Sequence, residues 1–337
     1  MNEPLVSVIV PVFNRSRVIT DCLKSVLLQE VPLEIIVVDD GSTDGTKEVV
    51  LSLTDDRIKV ITQPNKGSSS ARHRGVMESK GEWLLFLDSD DYILPGMLKR
   101  LLFLIESNPG FAFSFSEAWF EDIHSSMRSP APTLPLGDGP TIARHITVYS
   151  QCYNCRFLIR RYAYEAVGGY DPEIRSGAPE LLLFVPLFCQ FPFARTQERL
   201  AVVRHGASDQ LSQQPYDGYK CFLAVLDKLT SMGETGEIIC PIKNLALAEK
   251  NLECGKGWYF QNEFQKARSH FFLSLKCQSK CAFHSPKDNP IILTLKSLIR
   301  QAFRIPIKGL DDKGGFDEGL SEPSKKSMQE LSITTPT

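Results

Sequence analysis

Four short apolar runs, Val6–Val12 (VSVIVPV), 34–38 (EIIVV), Ile58–Thr62 (IKVIT) and 83–87 (WLLFL), are separated by segments of helical spacing. Runs without polar alternation suit strands covered on both faces, and strands that alternate with helices build a parallel sheet. The intervening segments are read as helices over 17–28, with Val18, Cys22, Val26 and Leu27 on one face behind a Ser16 cap, a short one through Val49 and Leu53, and one over 68–79. The last run stops abruptly at Asp88-Ser89-Asp90-Asp91. Ligands of α/β sheets bind at the carboxyl ends of strands, so these acids are placed where a ligand would sit.

Further along, Pro95 is expected as the first residue of a helix reaching 105, because its missing donor costs nothing there. Strands are expected at 111–115, 156–161 and 200–204, and helices at 162–167 and 180–189, with a turn at Gly168-Gly169. Residues 121–140 are rich in Ser, Pro, Gly and Asp, which predicts a loop, either a lid or a passive surface segment. Beyond Asp217 the pattern is helical, over 219–232, 242–254 and 257–275, and the last two resemble a single tetratricopeptide-like hairpin. The expected organisation is a catalytic-type α/β domain over 1–215, a helical extension over 216–308, and a tail over 309–337 too polar to order itself.

A net charge of −2 over 337 residues gives no reason to expect nucleic acid as a partner. Nine cysteines, an odd number, scattered through apolar segments fit reduced thiols; Cys152/Cys155 and Cys277/Cys281 lack the matched pairs of a zinc site. The start has no signal-peptide pattern, and no apolar run nears the ~20 residues of a membrane span, so a cytoplasmic protein is expected. Over 291–308, Ile291, Leu295, Leu298 and Ile299 share a helical face while Lys296, Arg300 and Arg304 share another. Such a helix could lie peripherally on the inner face of an anionic membrane or pack on its own domain.

Three strand ends carry the chemistry: Pro11 to Arg15 (PVFNR), Asp39-Asp40, and Asp88 to Asp91. An acid deep in such a cleft can accept from a base N–H or ribose hydroxyl, and the carboxylates of Asp88 and Asp90 offer hard oxygens to a divalent cation. Arg72 or Arg74 would add charge-assisted hydrogen bonds to a diphosphate. Trp119 and Tyr149 could stack on a sugar, although core packing is the commoner fate of such rings.

The blocks SVIVPVFNR, EIIVVDDGSTDGT, NKGSSSARHRG, KGEWLLFLDSDD and GGYDPE together resemble the inverting family 2 glycosyltransferases of the GT-A fold. That resemblance implies a mostly parallel central sheet flanked by helices, a nucleotide-sugar donor, UDP-linked above others, and a Mn²⁺ or Mg²⁺ cofactor. It also implies that Pro11, Val12, Phe13, Asn14 and Arg15 line the nucleoside site, that Asp39 or Asp40 holds the base, and that Arg72, Asp88 and Ser89 meet the donor. Asp88 and Asp90 match the family's DxD, and His205 matches a histidine near the metal. The acceptor, whether glycan, lipid-linked or protein, is left open. Relatives open the helix after the GG(F/Y)D turn with a Glu-Asp pair; here Pro179 stands at the first acid and Glu180 where the general base is expected. Glu180 could instead be an ordinary helix-start carboxylate, with Asp171 as base. Pro179 also motivates a rival reading, a non-catalytic nucleotide-sugar-binding or scaffold protein. A sugar-nucleotide pyrophosphorylase needs a Gly-rich loop after the first strand, which PVFNRSRV lacks.

Overall fold

The computed structural model describes residues 4–175, 178–206, 215–261 and 263–279. The chain divides into one unit of residues 1–213 with 220–240 and a second of 214–219 with 241 onward.

The first unit is built on β1 (Val6–Val12), β2 (Leu33–Asp39), β3 (Ile58–Thr62) and β4 (Trp83–Phe86), joined through helices α1 (Ile19–Leu27), α2 (Thr46–Leu51) and α3 (Ser68–Met77). These strands run parallel in the order β3-β2-β1-β4. Every residue of β1 and β4 is buried, which is why their sequences show no polar alternation. Register pairs Val12 with Asp39 and Ile9 with Phe86, so the carboxyl ends of all these strands share one edge.

Beyond β4 the sheet becomes mixed. It continues through β8 (Phe157–Arg160), β6 (Phe113–Asp122), β9 (Phe193–His205) and the two-residue β5 (Tyr92–Ile93), with β7 (Arg128–Pro130) paired to β6. Helices α4 (Met97–Glu106), α5 (Gly139–Tyr149), α6 (Arg161–Ala166) and α7 (Leu181–Gln190) accompany these strands. Helix α7 is buried over its first eight residues, and Phe157 and Phe184 meet there with ring centroids 4.2 Å apart.

Several expectations are corrected. Ser16 does not cap α1: Val18 is the N-cap, and the Ser16 amide donates to Asp44 at 3.0 Å. Pro95 lies in the turn before α4, because Gly96 in a left-handed conformation starts that helix at Met97. The segment 121–140 is not one loop. Strand β6 runs on to Asp122 and folds back on β7, held by Glu121 and Arg128 at 2.9 Å, and α5 starts at Gly139 after an Asp138 cap that accepts from the Thr141 amide. Strand β9 begins at Phe193, well before 200, because its first residues pair with Phe113 to Phe115 of β6.

Helices α8 (Pro215–Ser231) and α9 (Gly233–Ile239) lead to the second unit's pair, α10 (Lys243–Phe260) and α11 (Phe264–Ser279). The hairpin turn falls later than the expected 255–256, since α10 continues through Gly255. A Cβ there would come within 2.5 Å of the Phe271 ring, so the glycine serves close helix contact and does not end the helix. Leu252, Ala267 and Phe271 form the small core. Beside it, Asn251 Nδ2 donates to Tyr219 Oη at 3.0 Å, and its Oδ1 accepts from His270 Nδ1 at 2.9 Å. The expected 291–308 helix, the 309–337 tail and Cys281 lie outside the described residues. Among the described helices, none is long and apolar enough to cross a membrane.

Burial pushes the His270 imidazole down to about 4. The unfolded chain therefore binds its proton near pH 6.5 and the folded chain does not, so stability is full above ~6.5 and falls as pH drops toward 4. Loss on the order of 3 kcal/mol is expected across that window for the helical pair. Helical circular dichroism of the full chain in a urea series at pH 7 and pH 4.5 reads it, and His270→Gln should flatten this part of the dependence.

Candidate active site

The shared strand edge is assembled by short-range hydrogen bonds between successive strand ends. After β1, Asn14 adopts φ +52°, a left-handed conformation Asn tolerates, and its Oδ1 accepts from the Thr43 amide at 2.8 Å. The Asn14 and Arg15 amides donate to Ser42 Oγ (3.0 Å) and Thr46 Oγ1 (2.9 Å). Pro11 and Val12 are buried beneath, while Phe13 is exposed at the rim.

The two acids after β2 part company. Asp40 is fully used by the following segment: Oδ1 accepts from Gln63 Nε2 (2.8 Å) and the Lys66 amide (2.9 Å), and Oδ2 from the Gly67 amide (2.8 Å). Asp39 accepts from the Ser42 amide through Oδ1 at 2.9 Å, and its Oδ2 has no hydrogen-bond partner among the described residues.

Across the edge, Arg72 of α3 reaches Asp88 Oδ1 through Nη2 and Ser68 Oγ through Nη1, with its guanidinium 5.0 Å from the Tyr170 ring centre. Burial alone would push this guanidinium down; the carboxylates of Asp88 and Glu180 outweigh it and hold Arg72 charged. Arg74 instead pairs with Glu78 at 2.7 Å, one turn along its own helix. Asp88 Oδ2 accepts from Asn154 Nδ2 at 3.4 Å, so both of its oxygens are engaged.

The turn is closed by the Asp91 amide donating to the Asp88 carbonyl at 2.9 Å, with the Cys22 thiol 3.6 Å from the same carbonyl. Ser89 and Asp91 are buried and Asp90 is half-buried. Asp91 Oδ1 accepts from the Arg204 amide at 2.9 Å. Its carboxyl is pushed well up by burial, then by Asp90 and Asp88. Three acids crowded on one turn, with hard oxygen donors, are a chemical fit to a divalent cation. Among the described residues, no group of three or more His, Cys, Asp or Glu side chains stands ready to hold one alone.

The facing wall comes from the GGYD turn and the loop after it. Gly169 has φ +63°, and a Cβ there would lie 2.4 Å from the Tyr164 ring, whose hydroxyl accepts from the Tyr170 amide at 3.0 Å. Gly169→Ala should therefore destabilise the fold by about 2 kcal/mol or more, read as a lower urea midpoint. Asp171 is held by Lys228 Nζ and by the Glu173 amide at 2.9 Å. Burial would raise its carboxyl, but the Lys228 contact and the amide lower it, which suits an ion-pair anchor better than a base. Glu180, half-buried, is the N-cap of α7 and follows Ala178 (φ +70°) and Pro179. Its charge acts on Arg72, Tyr170 and Cys152, so it belongs to the same electrostatic neighbourhood as Asp88.

His205 ends β9, exposed, with its ring 5.5 Å from that of Phe120 and its carbonyl accepting from the Ile123 amide. Trp119 carries the Arg199 guanidinium 5.4 Å above its ring, and Tyr149 packs on His145 at 4.8 Å. Asn154 was not legible as a site residue in the sequence, because a neutral amide between two cysteines carries no motif; only the fold brings it to Asp88.

The family described as Glycosyl transferase family 2 matches residues 7–168. A glucosyltransferase of Campylobacter jejuni, named GalNAc(5)-diNAcBac-PP-undecaprenol beta-1,3-glucosyltransferase, is 41% identical over 123 residues, 35% of this chain and 39% of its own length. An uncharacterized glycosyltransferase of Rickettsia conorii is 30% identical over 199 residues, 52% of this chain and 33% of its own length. The chain thus spans well under half of these relatives. Among solved structures, S. aureus TarS 1-349 in complex with UDP-GlcNAc has a TM-score of 0.61 at 19% identity, covering 93% of this chain and 97% of that one. Mannosyltransferase PcManGT from Pyrobaculum calidifontis, in complex with GDP-Man and Mn2+, has a TM-score of 0.55 at 16% identity over 89% and 81%. At such identities the likeness is one of fold, and the fold is the expected GT-A arrangement with C-terminal helices.

Proposed function

We propose, from the match of residues 7–168 to glycosyl transferase family 2, that the protein is a metal-dependent inverting glycosyltransferase, moving a sugar from a UDP-sugar to an acceptor hydroxyl in glycan biosynthesis. The observation that carries this reading is the gathering at one sheet edge of Asp39, Arg72 and the Asp88–Asp91 turn, with Glu180 in electrostatic reach of Arg72.

Each residue has a role its surroundings support. Asp39, with one carboxylate oxygen unused among the described residues, accepts from a ring N–H of the base; Asp40 holds the 63–67 segment that borders it. Pro11 to Arg15 flank the nucleoside, with Phe13 exposed at its rim. Arg72 and Ser89 lie toward the diphosphate, and Asp88 fixes Arg72 in place. Asp90, the half-buried acid of the turn, would hold Mn²⁺ or Mg²⁺, with His205 at the end of β9 as a further candidate ligand. When bound, such an ion offsets the negative charge that develops on the leaving diphosphate. Glu180 takes the acceptor hydroxyl's proton as that oxygen attacks the anomeric carbon from the face opposite the diphosphate, so configuration inverts.

The Campylobacter relative's name describes an undecaprenol-diphosphate-linked acceptor, which supports a lipid-linked glycan here too. The basic stripe in the sequence of 291–308 is consistent with work at the inner face of a membrane. Pro179 in place of the first acid favours the rival, a nucleotide-sugar-binding protein without turnover. Incubation of the chain with a panel of nucleotide sugars, with Mn²⁺ or with EDTA, separates them. Cation-dependent release of UDP supports transfer chemistry. Donor binding without release from any of the panel supports the rival.

A further inference from the structure

Three elements distant in sequence meet at one carboxylate. Asp88 follows β4; Asn154, 66 residues later, opens the short 3-10 turn before β8; Tyr170 stands in the GGYD turn. Tyr170 Oη donates to Asn154 Oδ1 at 2.6 Å, and Asn154 Nδ2 donates on to Asp88 Oδ2, whose other oxygen takes Arg72. The amide's orientation is fixed by this chain, since a carboxylate can only accept and the amide nitrogen can only donate. Tyr170 is fully buried and Asn154 is 6% exposed, so their hydrogen bonds face little competition from water.

Each end of the chain is anchored. The Tyr170 ring meets Phe86 edge-on at 4.9 Å and lies beneath Arg72 at 5.0 Å, while its amide donates to Tyr164 Oη. The turn that carries Asn154 is held by Arg156, wholly buried, which donates to the Gln151 carbonyl at 2.8 Å and faces Glu117 at 3.6 Å.

We propose that Asn154 and Tyr170 are positioning residues, which together fix the rotation of the Asp88 carboxylate and, through it, the Arg72 guanidinium at the donor's diphosphate. The inference rests on the donor-site reading above. Neither residue touches the reacting atoms. The Tyr170 hydroxyl acts only through Asn154, so the two form one unit whose effects do not multiply.

The test is titration calorimetry of UDP with Mn²⁺ on the full-length chain, alongside a thermal midpoint for each variant. Asn154→Ala and Tyr170→Phe should each weaken UDP binding about tenfold, and the double variant no more than Asn154→Ala alone. Tyr170→Phe keeps the ring against Phe86 and Arg72 but leaves the buried Asn154 Oδ1 without its donor, so its midpoint should fall modestly, with the chain still folded at the assay temperature, while affinity falls. Asn154→Asp keeps the side chain's shape but turns the donor into a second carboxylate against Asp88, and should weaken binding more than tenfold. It decides the matter if Asn154→Ala does not fold. Wild-type affinity in Tyr170→Phe or Asn154→Asp, or losses that multiply in the double variant, would overturn the proposal. A wild-type chain that binds no UDP contradicts the donor-site reading and this inference with it; a binding wild type with unaltered variants contradicts this inference alone.

Discussion

Asp90→Ala is expected to lower release of UDP from the donor about 1000-fold, a loss of about 4 kcal/mol of transition-state stabilisation. Asp88 has both oxygens engaged, by Arg72 and Asn154, and Asp91 is buried on the Arg204 amide with its carboxyl pushed well up. Asp90, half-buried at the second acid of the DxD, is in the reading proposed above the acid that shares a cation with the diphosphate. Because its charge is among the causes that raise Asp91, removing it relieves repulsion in the turn, so the thermal midpoint should not fall. A folded Asp90→Ala protein with near-normal, cation-dependent release would move the cation elsewhere.

Glu180→Gln is expected to lower transfer at least ~100-fold with donor affinity unchanged, because a general base acts on the acceptor in the transition state and not on the bound donor. Asp171→Asn provides the contrast. Its carboxylate is tied to Lys228 and to the Glu173 amide, so its loss should slow transfer by less than about tenfold, and through the loop's position alone. Steady-state rates for the two variants, measured with the same donor and acceptor, check both statements. Equal losses, or a larger loss for Asp171→Asn, would reassign the base. Ala178 matters here too, since its positive φ, costing about 1 kcal/mol, stands immediately before Pro179 and Glu180.

The half of the sheet that carries the acids was legible because burial on both faces leaves an unmistakable apolar run, and each run stops where its strand leaves the core. Strands that depend on partners were not. Arg128–Pro130 has no apolar signal and exists because Glu121 and its neighbours pair with it; Tyr92–Ile93 is too short to show a period; Phe193–Glu198 reads as polar because it is only half covered. The same division holds at the site. Acids at strand ends announce themselves, whereas the choice between Asp39 and Asp40 turns on which carboxylate the amides of 66 and 67 consume, and that follows from a loop path no local pattern encodes. Asn154 became visible only through a contact spanning 66 residues.

The most direct measurement of the central claim is a crystal structure of the chain with UDP and Mn²⁺. The uracil edge is predicted against the free oxygen of Asp39 and not against Asp40, the diphosphate beside Arg72, and the cation between Asp90 and phosphate oxygens, with Glu180 facing them across the cleft. A nucleotide bound away from this strand edge, or a cation held without Asp90, would contradict the account.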